Sequence, residues 1–346
     1  MELRELLRRP VMVAPMAAGP TTPALVIAAA GAGALGFLAA GYQDVAAMTA
    51  DITAVRAGTG EAFGVNLFVP GRPAGEPDRV AAYLAKVAAE AGTSPGEPAW
   101  DDHHFDAKVS ALLADPPPLV SFTFGCPDAE VIAAFRAAGS VVAVTVTGAR
   151  EALAAAAAGA GCLCVQGSEA GAHRGTFAND DLALRDAGTL PDGSPADGVL
   201  ALSAAVARVT DRPQIAAGGI MNPGTAAILL GAHAVAVQCG TAFLRCPESG
   251  TPPAHQAALA DPAFTTTAVT RAFSGRPARG LVNDFLAGHP DAPAAFPEIN
   301  NALRPLRAAA AAAGDTGRMS LWAGTGFREA RAAPAAEIID HLCPRR

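Results

Sequence analysis

The chain has few lysines, no clustered metal-binding residues and no long apolar runs. Lys86 and Lys108 are the two lysines among 346 residues, and both fall on or near predicted helices, away from strand ends. Because a Schiff-base aldolase needs a buried lysine amine, this placement disfavours that chemistry. The six cysteines show no metal-ligand spacing, and acids and histidines do not gather at predicted strand ends. The sequence therefore predicts no bound metal.

Charge and hydropathy exclude further classes of partner. The formal net charge is −7 and no basic stripe is present, so we expect neither nucleic acid nor an anionic membrane surface as a partner. The apolar segment 24–40 is interrupted by glycines, which argues against a membrane span. The first ten residues, MELRELLRRP, mix acids with arginines and lack the apolar centre of a signal peptide. We expect a cytoplasmic protein.

Short apolar runs alternate with helical patterns along the first 250 residues. Eight such units predict an α/β fold, a (β/α)8 TIM barrel, with a doubly wound sheet as the alternative. The predicted strands are Val11–Ala14, Ala34–Leu38, Phe63–Phe68, Leu119–Phe122, Val141–Val146, Cys162–Val165, Gln214–Ala217 and Ala234–Val237. We expect residues 1–250 to form the barrel and residues 251–318 a smaller, mainly helical cap domain. Residues 319–346 are expected to return to the barrel.

The most informative stretch follows the sixth predicted strand and reads CLCVQGSEAGAHRGTF. Gln166, Glu169, His173 and Arg174 lie there among three glycines. Barrel enzymes place their active sites where the parallel strands end. The connection continues to about residue 198, and loops of this length are usually lids or binding loops. His173 is the catalytic candidate, because an imidazole can take a proton from a neutral substrate or, when protonated, hold an anion.

For three other histidines we expect solvated or structural positions rather than a catalytic role. His103 and His104 fall in a polar insertion, where we expect solvated side chains. His233 precedes the eighth predicted strand, at the end of the barrel that serves stability rather than catalysis.

Two glycine-containing loops follow the seventh and eighth predicted strands. They read Gly218-Gly219-Ile220 and Gln238-Cys239-Gly240-Thr241. Glycine lets backbone N–H groups approach phosphate oxygens, and the positive end of a following helix favours the anion. Barrels commonly bind phosphate at these two loops. With lysine and metal chemistry disfavoured, we expect an organic cofactor that brings its own reactivity. Asn66, inside the apolar run FGVNLF, is expected to face a ligand.

Several motifs occur in the order seen in flavin-dependent nitronate monooxygenases, formerly called 2-nitropropane dioxygenases. The chain resembles the bacterial branch of this family over almost its entire length, in the segments PVMVAPMA, FGVNLF, SFTFGCP, VQGSEAGAHRG, AAGGI, QCGTAFL, TRAFSGRPARGLVN and PEINNALRPLRAAAA. The resemblance implies a barrel that binds FMN non-covalently and oxidises alkyl nitronates, such as propionate 3-nitronate, with O2.

The resemblance also implies roles for individual residues. His173 matches the active-site histidine beside the flavin. The matched cofactor-binding positions are Asn66, Gln166, Gly171 and Gly219 for the flavin, and Gln238, Cys239, Gly240 and Thr241 around its phosphate. The chain departs from the family at Ala172, where a second glycine is usual, and at Thr325, where a glutamine is common.

Some residues and properties stay open at this stage. Arg174, Arg276 or Arg279 could neutralise a substrate carboxylate, whereas Glu169 and Thr325 have no assigned role. The expected partners are a small nitronate and O2, with a homodimer as one option for assembly. Two alternatives share the flavin: an enoyl-acyl-carrier-protein reductase that uses NADH, and a flavin-binding protein without turnover.

Overall fold

Eight parallel strands close into a barrel in the computed structural model, which describes residues 2–91, 93–184, 188–189, 195–196 and 198–343. The barrel strands are β1 (Val11–Val13), β2 (Leu35–Ala39), β3 (Gly64–Phe68), β4 (Leu119–Thr123), β5 (Val141–Val146), β6 (Cys162–Gln166), β7 (Gln214–Ala217) and β8 (Ala234–Cys239). Each strand pairs with its neighbours in chain order, and β1 closes the ring by pairing with β8, with Val11 opposite Val237. The predicted TIM barrel is confirmed.

Helices cover the outside of the barrel because their apolar faces need a partner. The covering helices are Pro23–Gly31, Val45–Gly58, Phe105–Ala114, Ala129–Ala137, Ala149–Ala157, Gly198–Ala207, Pro223–Ala232 and Ala335–Leu342. Local signals define two of the starts: Thr22 and Asn222 cap helices whose first residue is proline, and each accepts a hydrogen bond from a backbone N–H three residues later.

The last helix, Ala335–Leu342, packs beside the first barrel helix. Ile338, Ile339 and Leu342 are buried in one core with Leu25 and Leu229, which lie on the helices after β1 and β7. The C-terminal segment therefore covers the surface that the helix after β8 covers in a regular barrel.

The remaining elements gather at the carboxyl end of the strands, which we call the mouth. These elements are the helices Pro77–Ala91, Pro253–Ala258, Asp284–Gly288, Glu298–Ala302 and Arg304–Ala313, and the short strands Ala172–His173, Thr267–Thr270 and Ala278–Leu281. The three strands form an antiparallel sheet, in which the strand carrying His173 pairs with Ala278–Leu281. The region expected to be mainly helical thus also contributes two strands, which it shares with the loop after β6.

Helix Pro77–Ala91 belongs to the same packing unit, although it follows β3. Its Val80 and Leu84 share a buried core with Phe273, Ile299 and Leu303 of the later segment. Short one-turn helices and a strand pair complete the described structure, at Leu3–Leu6, Asp181–Leu184, Gly188–Thr189, Pro195–Ala196, Thr241–Phe243 and Phe327–Glu329. Within the described residues, no helix is both long enough and apolar enough to span a bilayer.

Lys108 corrects one sequence-based expectation. It lies on the predicted helix, but its ammonium group reaches a strand end, where it donates to the carbonyl oxygens of Ala40 at 2.7 Å and Gly41 at 3.1 Å. Both carbonyls directly follow β2. The sequence interpretation failed because a long side chain carries its charge well away from its own helix. Burial lowers the pKa of Lys108 to about 8.

Candidate active site at the barrel mouth

A layer of polar side chains lies inside the barrel at its mouth. Alternate residues of each strand face the barrel interior. These inward-facing positions can be compared from the lower levels of the barrel up to the mouth. At the lower levels these positions hold residues such as Leu119, Val141 and Ile215. The upper positions are polar, namely Asn66, Ser121, Thr123, Thr145, Gln166 and Gln238. Among the inward-facing positions named here, the hydrogen-bonding side chains therefore lie at the mouth.

Asn66 is 3% exposed and uses its side-chain amide within this layer. Its Nδ2 donates to Ser121 Oγ at 2.9 Å and to Thr123 Oγ1 at 3.0 Å, and the Thr123 and Thr145 hydroxyls lie 3.3 Å apart. Both bonds cross to the neighbouring strand β4 and use the Nδ2 group, so the Oδ1 acceptor is left for another partner. On the opposite side, Gln238 Nε2 lies 3.4 Å from Cys164 Sγ.

Gln166 links the end of β6 to the loop that carries His173. Its Nε2 donates to the His173 carbonyl at 3.1 Å, and its Oε1 accepts from the Gly175 N–H at 2.7 Å. These two bonds close the loop around residues 167–174 and hold His173 above the polar layer. The amide retains one N–H and one lone pair for a ligand.

His173 is partly buried among aromatic rings. Its ring centroid lies 5.6 Å from that of Phe124 and 5.7 Å from those of Phe296 and Trp322. Desolvation lowers the pKa of His173 to about 3, and the positive charges of Arg276 and Arg307 act in the same direction. The imidazole is therefore neutral at physiological pH, and one of its ring nitrogens carries a lone pair that can accept a proton.

Ser274 is a site residue that sequence reasoning missed. It is fully buried, and its Oγ lies 2.8 Å from His173 Nε2. The same hydroxyl donates to the Arg276 carbonyl at 3.1 Å, so we assign the histidine proton to Nε2 and leave Nδ1 as the free base. The pair is 101 residues apart in the chain, and the TRAFSGRPARG motif was the available signal.

The glycine loops after β7 and β8 present unused backbone donors. Gly218 and Gly219 have φ values of 110° and 68°, which favour glycine. In the described part of the chain, the N–H groups of Gly219, Gly240 and Thr241 take part in no backbone hydrogen bond. Asn222 caps the helix behind the first loop. The two loops can therefore donate to the oxygens of a phosphate.

Two other predicted cofactor residues have additional structural roles. Cys239 alternates with the inward-facing Gln238, and its thiol is buried between barrel and helices with Val237 and Phe243. Burial raises the pKa of this thiol to about 12. Thr241 Oγ1 accepts a hydrogen bond from Gly324 N–H at 3.0 Å, which ties the second glycine loop to the C-terminal segment.

Gly171 lies where two backbones cross. A Cβ at this position would come within 2.5 Å of the Ala323 carbonyl carbon and of the Gly324 nitrogen. The C-terminal segment therefore passes directly over the loop after β6. The Thr325 N–H donates to the Glu169 carbonyl at 3.0 Å, which gives Thr325 a backbone role that does not depend on its side chain.

Two carboxylates hold the loop that follows β6. Glu169 Oε1 accepts from the Val199 N–H at 2.9 Å, in the first turn of helix Gly198–Ala207, where a negative charge is favoured. Glu151 Oε1 accepts from the Thr176 hydroxyl at 2.9 Å and from the Phe177 N–H at 2.7 Å. Glu169 thereby gains a role, and Glu151 is a contributor that the sequence did not reveal. Most of the long connection beyond Leu184 lies outside the described residues.

The expectation that His103 is solvated was wrong. It is 8% exposed, its Nδ1 lies 2.7 Å from Asp101 Oδ1, and its ring contacts those of Tyr42, Phe68 and Phe296. The polar insertion folds back over the mouth, and this tertiary contact was invisible in its composition. His104 is exposed, as expected.

The arginines named from the sequence are buried rather than solvated. Arg174, Arg276 and Arg279 are 4%, 5% and 1% exposed. Arg279 Nε donates to the Ser168 carbonyl at 2.9 Å, and its Nη1 donates to Thr267 Oγ1 at 3.0 Å, so it links the cap strands to the loop. Arg276 stacks on Phe124, with its Cζ 4.1 Å from the ring centroid.

These features fit a flat cofactor that ends in a phosphate. The glycine loops supply donors for the phosphate, the polar layer supplies partners for a heterocycle, and His173 stands beside it among aromatic rings. Fold and site together define an enzyme of the barrel class, with its reaction centre at the strand ends and an organic cofactor.

The family model described as nitronate monooxygenase matches residues 2–345. The chain belongs to this family, which is flavin-dependent in general. A nitronate monooxygenase from Pseudomonas aeruginosa is 37% identical over 97% of this chain and 95% of its own length. One from Paraburkholderia phytofirmans is 36% identical over 96% of this chain and 91% of its own length.

Solved structures show the same architecture. A nitroalkane oxidase from Streptomyces ansochromogenes superposes with a TM-score of 0.92 at 47% identity, covering 98% of this chain and 96% of its own. FabK from Thermotoga maritima superposes with a TM-score of 0.70 at 23% identity, covering 97% and 92% of the two chains. At that identity the second likeness concerns the fold alone.

Proposed function

We propose that the protein oxidises alkyl nitronates, such as propionate 3-nitronate, with FMN as cofactor and O2 as co-substrate. The observation that carries the proposal is a neutral imidazole, His173, bonded to Ser274 above a polar layer, at the same end of the barrel as two glycine loops with unused N–H donors. A cytoplasmic location and a homodimer belong to the same proposal.

Bound FMN supplies the electron acceptor for the oxidation. Around it we assign Asn66, Gln166, Gly171 and Gly219 to the flavin and Gln238, Cys239, Gly240 and Thr241 to its phosphate end. The free Oδ1 of Asn66, the spare N–H of Gln166 and the unused N–H groups of the glycine loops support this assignment. The roles of Gly171 and Thr241 include holding the C-terminal segment.

His173 acts on the proton at the substrate α-carbon. With Nε2–H donating to Ser274 Oγ, the Nδ1 lone pair can accept the α-proton of a neutral nitroalkane and form the nitronate within the site. A nitronate that enters already ionised needs no such step. Phe124, Phe296 and Trp322 exclude water from the space around the imidazole.

The decisive experiment measures O2 uptake and nitrite release with propionate 3-nitronate. The same measurement is made separately with 3-nitropropionate, in which the carbon next to the nitro group still carries its proton (the neutral form of the nitroalkane). His173→Gln should lower kcat/KM about 10²- to 10⁴-fold on the neutral form and less than about 10-fold on the nitronate, because the nitronate has already lost its proton. Protein that releases no FMN on denaturation, or that consumes no O2 with either compound, would overturn the proposal.

The same preparation separates the alternatives. Rapid NADH oxidation with an enoyl thioester, without nitronate turnover, would identify a reductase. Bound flavin with no turnover of nitronate or of NADH would identify a flavin-binding protein.

A further inference from the structure

Two arginines at the mouth carry positive charge without an acidic partner. Arg276 stacks on Phe124 and donates from Nη2 to the Thr176 carbonyl, and Arg307 donates from Nη2 to Asn300 Oδ1 and its carbonyl at 2.9 Å each. The Nε atoms of both arginines are buried and have no hydrogen-bond partner in the described part of the chain. Neither arginine forms an ion pair with any residue that the structure describes.

Two neutral groups near these arginines also have no hydrogen-bond partner among the described residues. Tyr42 Oη is a buried donor, whereas His103 Nε2 is a buried acceptor, because the Nδ1–H of this neutral imidazole faces Asp101 Oδ1 at 2.7 Å. The two rings are in edge contact, with centroids 5.6 Å apart. The positive charges of Arg307 and Arg276 act on the Tyr42 hydroxyl, although desolvation dominates and raises its pKa to about 12. Tyr42 is therefore a neutral hydrogen-bond donor at all relevant pH values.

His103 and Arg276 contact the same aromatic ring as His173. The Phe296 centroid lies 5.6 Å from the His103 ring, 5.7 Å from the His173 ring and 5.9 Å from Arg276 Cζ. His173 and Arg276 also share Phe124. The His173 imidazole, Arg276 and the Tyr42–His103 pair thus lie within the span of one small ligand.

A buried cation without a counter-ion destabilises the folded protein, and a bound anion removes that penalty. The acids that act on the cluster are engaged elsewhere: Asp101 with His103 Nδ1, and Glu151 with the loop around Thr176. A guanidinium and a phenol hydroxyl match the two oxygens of a carboxylate, and charge-assisted bonds of this kind are strong.

We propose that Tyr42, Arg276 and Arg307 form a carboxylate-binding subsite with His103 in its wall, and that this subsite selects nitronates that carry a carboxylate at the other end of a short chain. The proposal rests on the proposed function, because it assigns the reacting end of the substrate to His173. It makes Tyr42, Arg276 and Arg307 determinants of specificity rather than of the proton transfer.

The test compares propionate 3-nitronate with propane-1-nitronate, which has the same chain length and no carboxylate. Wild type should prefer the carboxylate-bearing compound at least about 10-fold in kcat/KM. Arg276→Gln should lower kcat/KM for it about 10- to 100-fold and Tyr42→Phe about 10-fold, mainly through KM. Both variants should change the value for propane-1-nitronate less than about 3-fold. Arg276→Lys should recover part of the loss.

Arg318→Gln is the matched control, because it removes one positive charge from a guanidinium that is half exposed. It should leave both substrates unchanged. Binding gives an independent readout: propanoate should quench the fluorescence of Trp322, which contacts His173, with a Kd that Tyr42→Phe weakens, whereas propanol should not. Tyr42→Phe keeps its ring contacts and so tests the subsite even if Arg276→Gln does not fold.

The outcomes separate the two proposals. If wild type oxidises both nitronates equally well, and the variants slow both equally, the carboxylate subsite is refuted while the oxidation stands. If wild type oxidises neither compound but binds propanoate through Tyr42, the proposed function fails and the anion site stands. Absence of propanoate binding together with equal turnover of both compounds would overturn the subsite outright.

Discussion

The His173 ring has one hydrogen-bond partner among the described residues. Its Nε2 faces Ser274 Oγ at 2.8 Å, and Ser274 is held in turn by the backbone of Arg276. The histidine itself was predictable, because it follows a barrel strand among glycines. Ser274 was not, because the contact spans two segments that only the folded chain brings together.

Ser274→Ala should lower kcat on neutral nitroalkanes about 10- to 100-fold while changing KM little, because the imidazole loses its fixed orientation but not its base. Ser274→Thr keeps the hydroxyl and should recover activity if the buried site accepts one more methyl group. Steady-state O2 uptake measures both. An unchanged kcat for Ser274→Ala would show that ring packing alone orients His173.

Ala172 adopts a backbone conformation that favours glycine. Its φ is 61°, in the left-handed region that favours glycine, which is the residue that the family resemblance leads us to expect here. From the sequence alone, alanine in place of glycine is a small change. The backbone conformation shows that an alanine at this position is strained.

Ala172→Gly should therefore raise the free energy of unfolding by about 1 kcal/mol, measured by urea denaturation. Ala154→Gly is the opposite control: it lies exposed inside helix Ala149–Ala157 and should lower the free energy of unfolding by about 1 kcal/mol. A loss of stability in Ala172→Gly would contradict the inferred strain.

At the scale of elements, the loop after β6 is fastened on three sides. Gln166 closes it on itself, Glu169 joins it to helix Gly198–Ala207, and Glu151 joins it to the helix after β5. Its strand Ala172–His173 then pairs with the cap. The motif and the strand end could be predicted, but the partners of Glu151, Glu169 and His173 lie 25 to 101 residues away.

Gly171→Ala should lower the free energy of unfolding by about 1–3 kcal/mol and reduce FMN retention, because its Cβ would strike backbone at Ala323 and Gly324. Gly31→Ala is the matched control, since a Cβ there meets no atom within 4 Å in a helical backbone. It should be neutral or stabilising. Equal stability of the two variants would show that the C-terminal segment can move aside. Urea denaturation and gel filtration with FMN detection measure the two effects.

At the scale of the whole molecule, buried neutral histidines couple stability to pH. Burial lowers the pKa of His255 to about 4 and that of His173 to about 3, both below the usual value of 6.5. Below pH 6.5 these histidines are protonated in the unfolded chain but stay neutral in the folded chain. The free energy of unfolding therefore falls as the pH falls.

Between pH 7 and pH 5, each of these histidines should remove about 2 kcal/mol from the free energy of unfolding. His255→Gln should reduce this pH dependence, whereas His233→Gln, at an exposed position, should leave it unchanged. Urea denaturation at the two pH values measures the slope. Equal stability at pH 5 and pH 7 would contradict the lowered pKa values.

The sequence by itself determined the barrel, because eight apolar runs, each buried on both faces, have few other ways to satisfy their backbones. It also located His173 and the two glycine loops, since glycine and strand ends leave a local signal. Only the tertiary structure decided the burial of His103, the reach of Lys108 and the cluster of Tyr42, Arg276 and Arg307. Each of these depends on contacts between distant segments, and a side chain's charge, solvent exposure and partner are properties of the packed molecule rather than of its own stretch of chain.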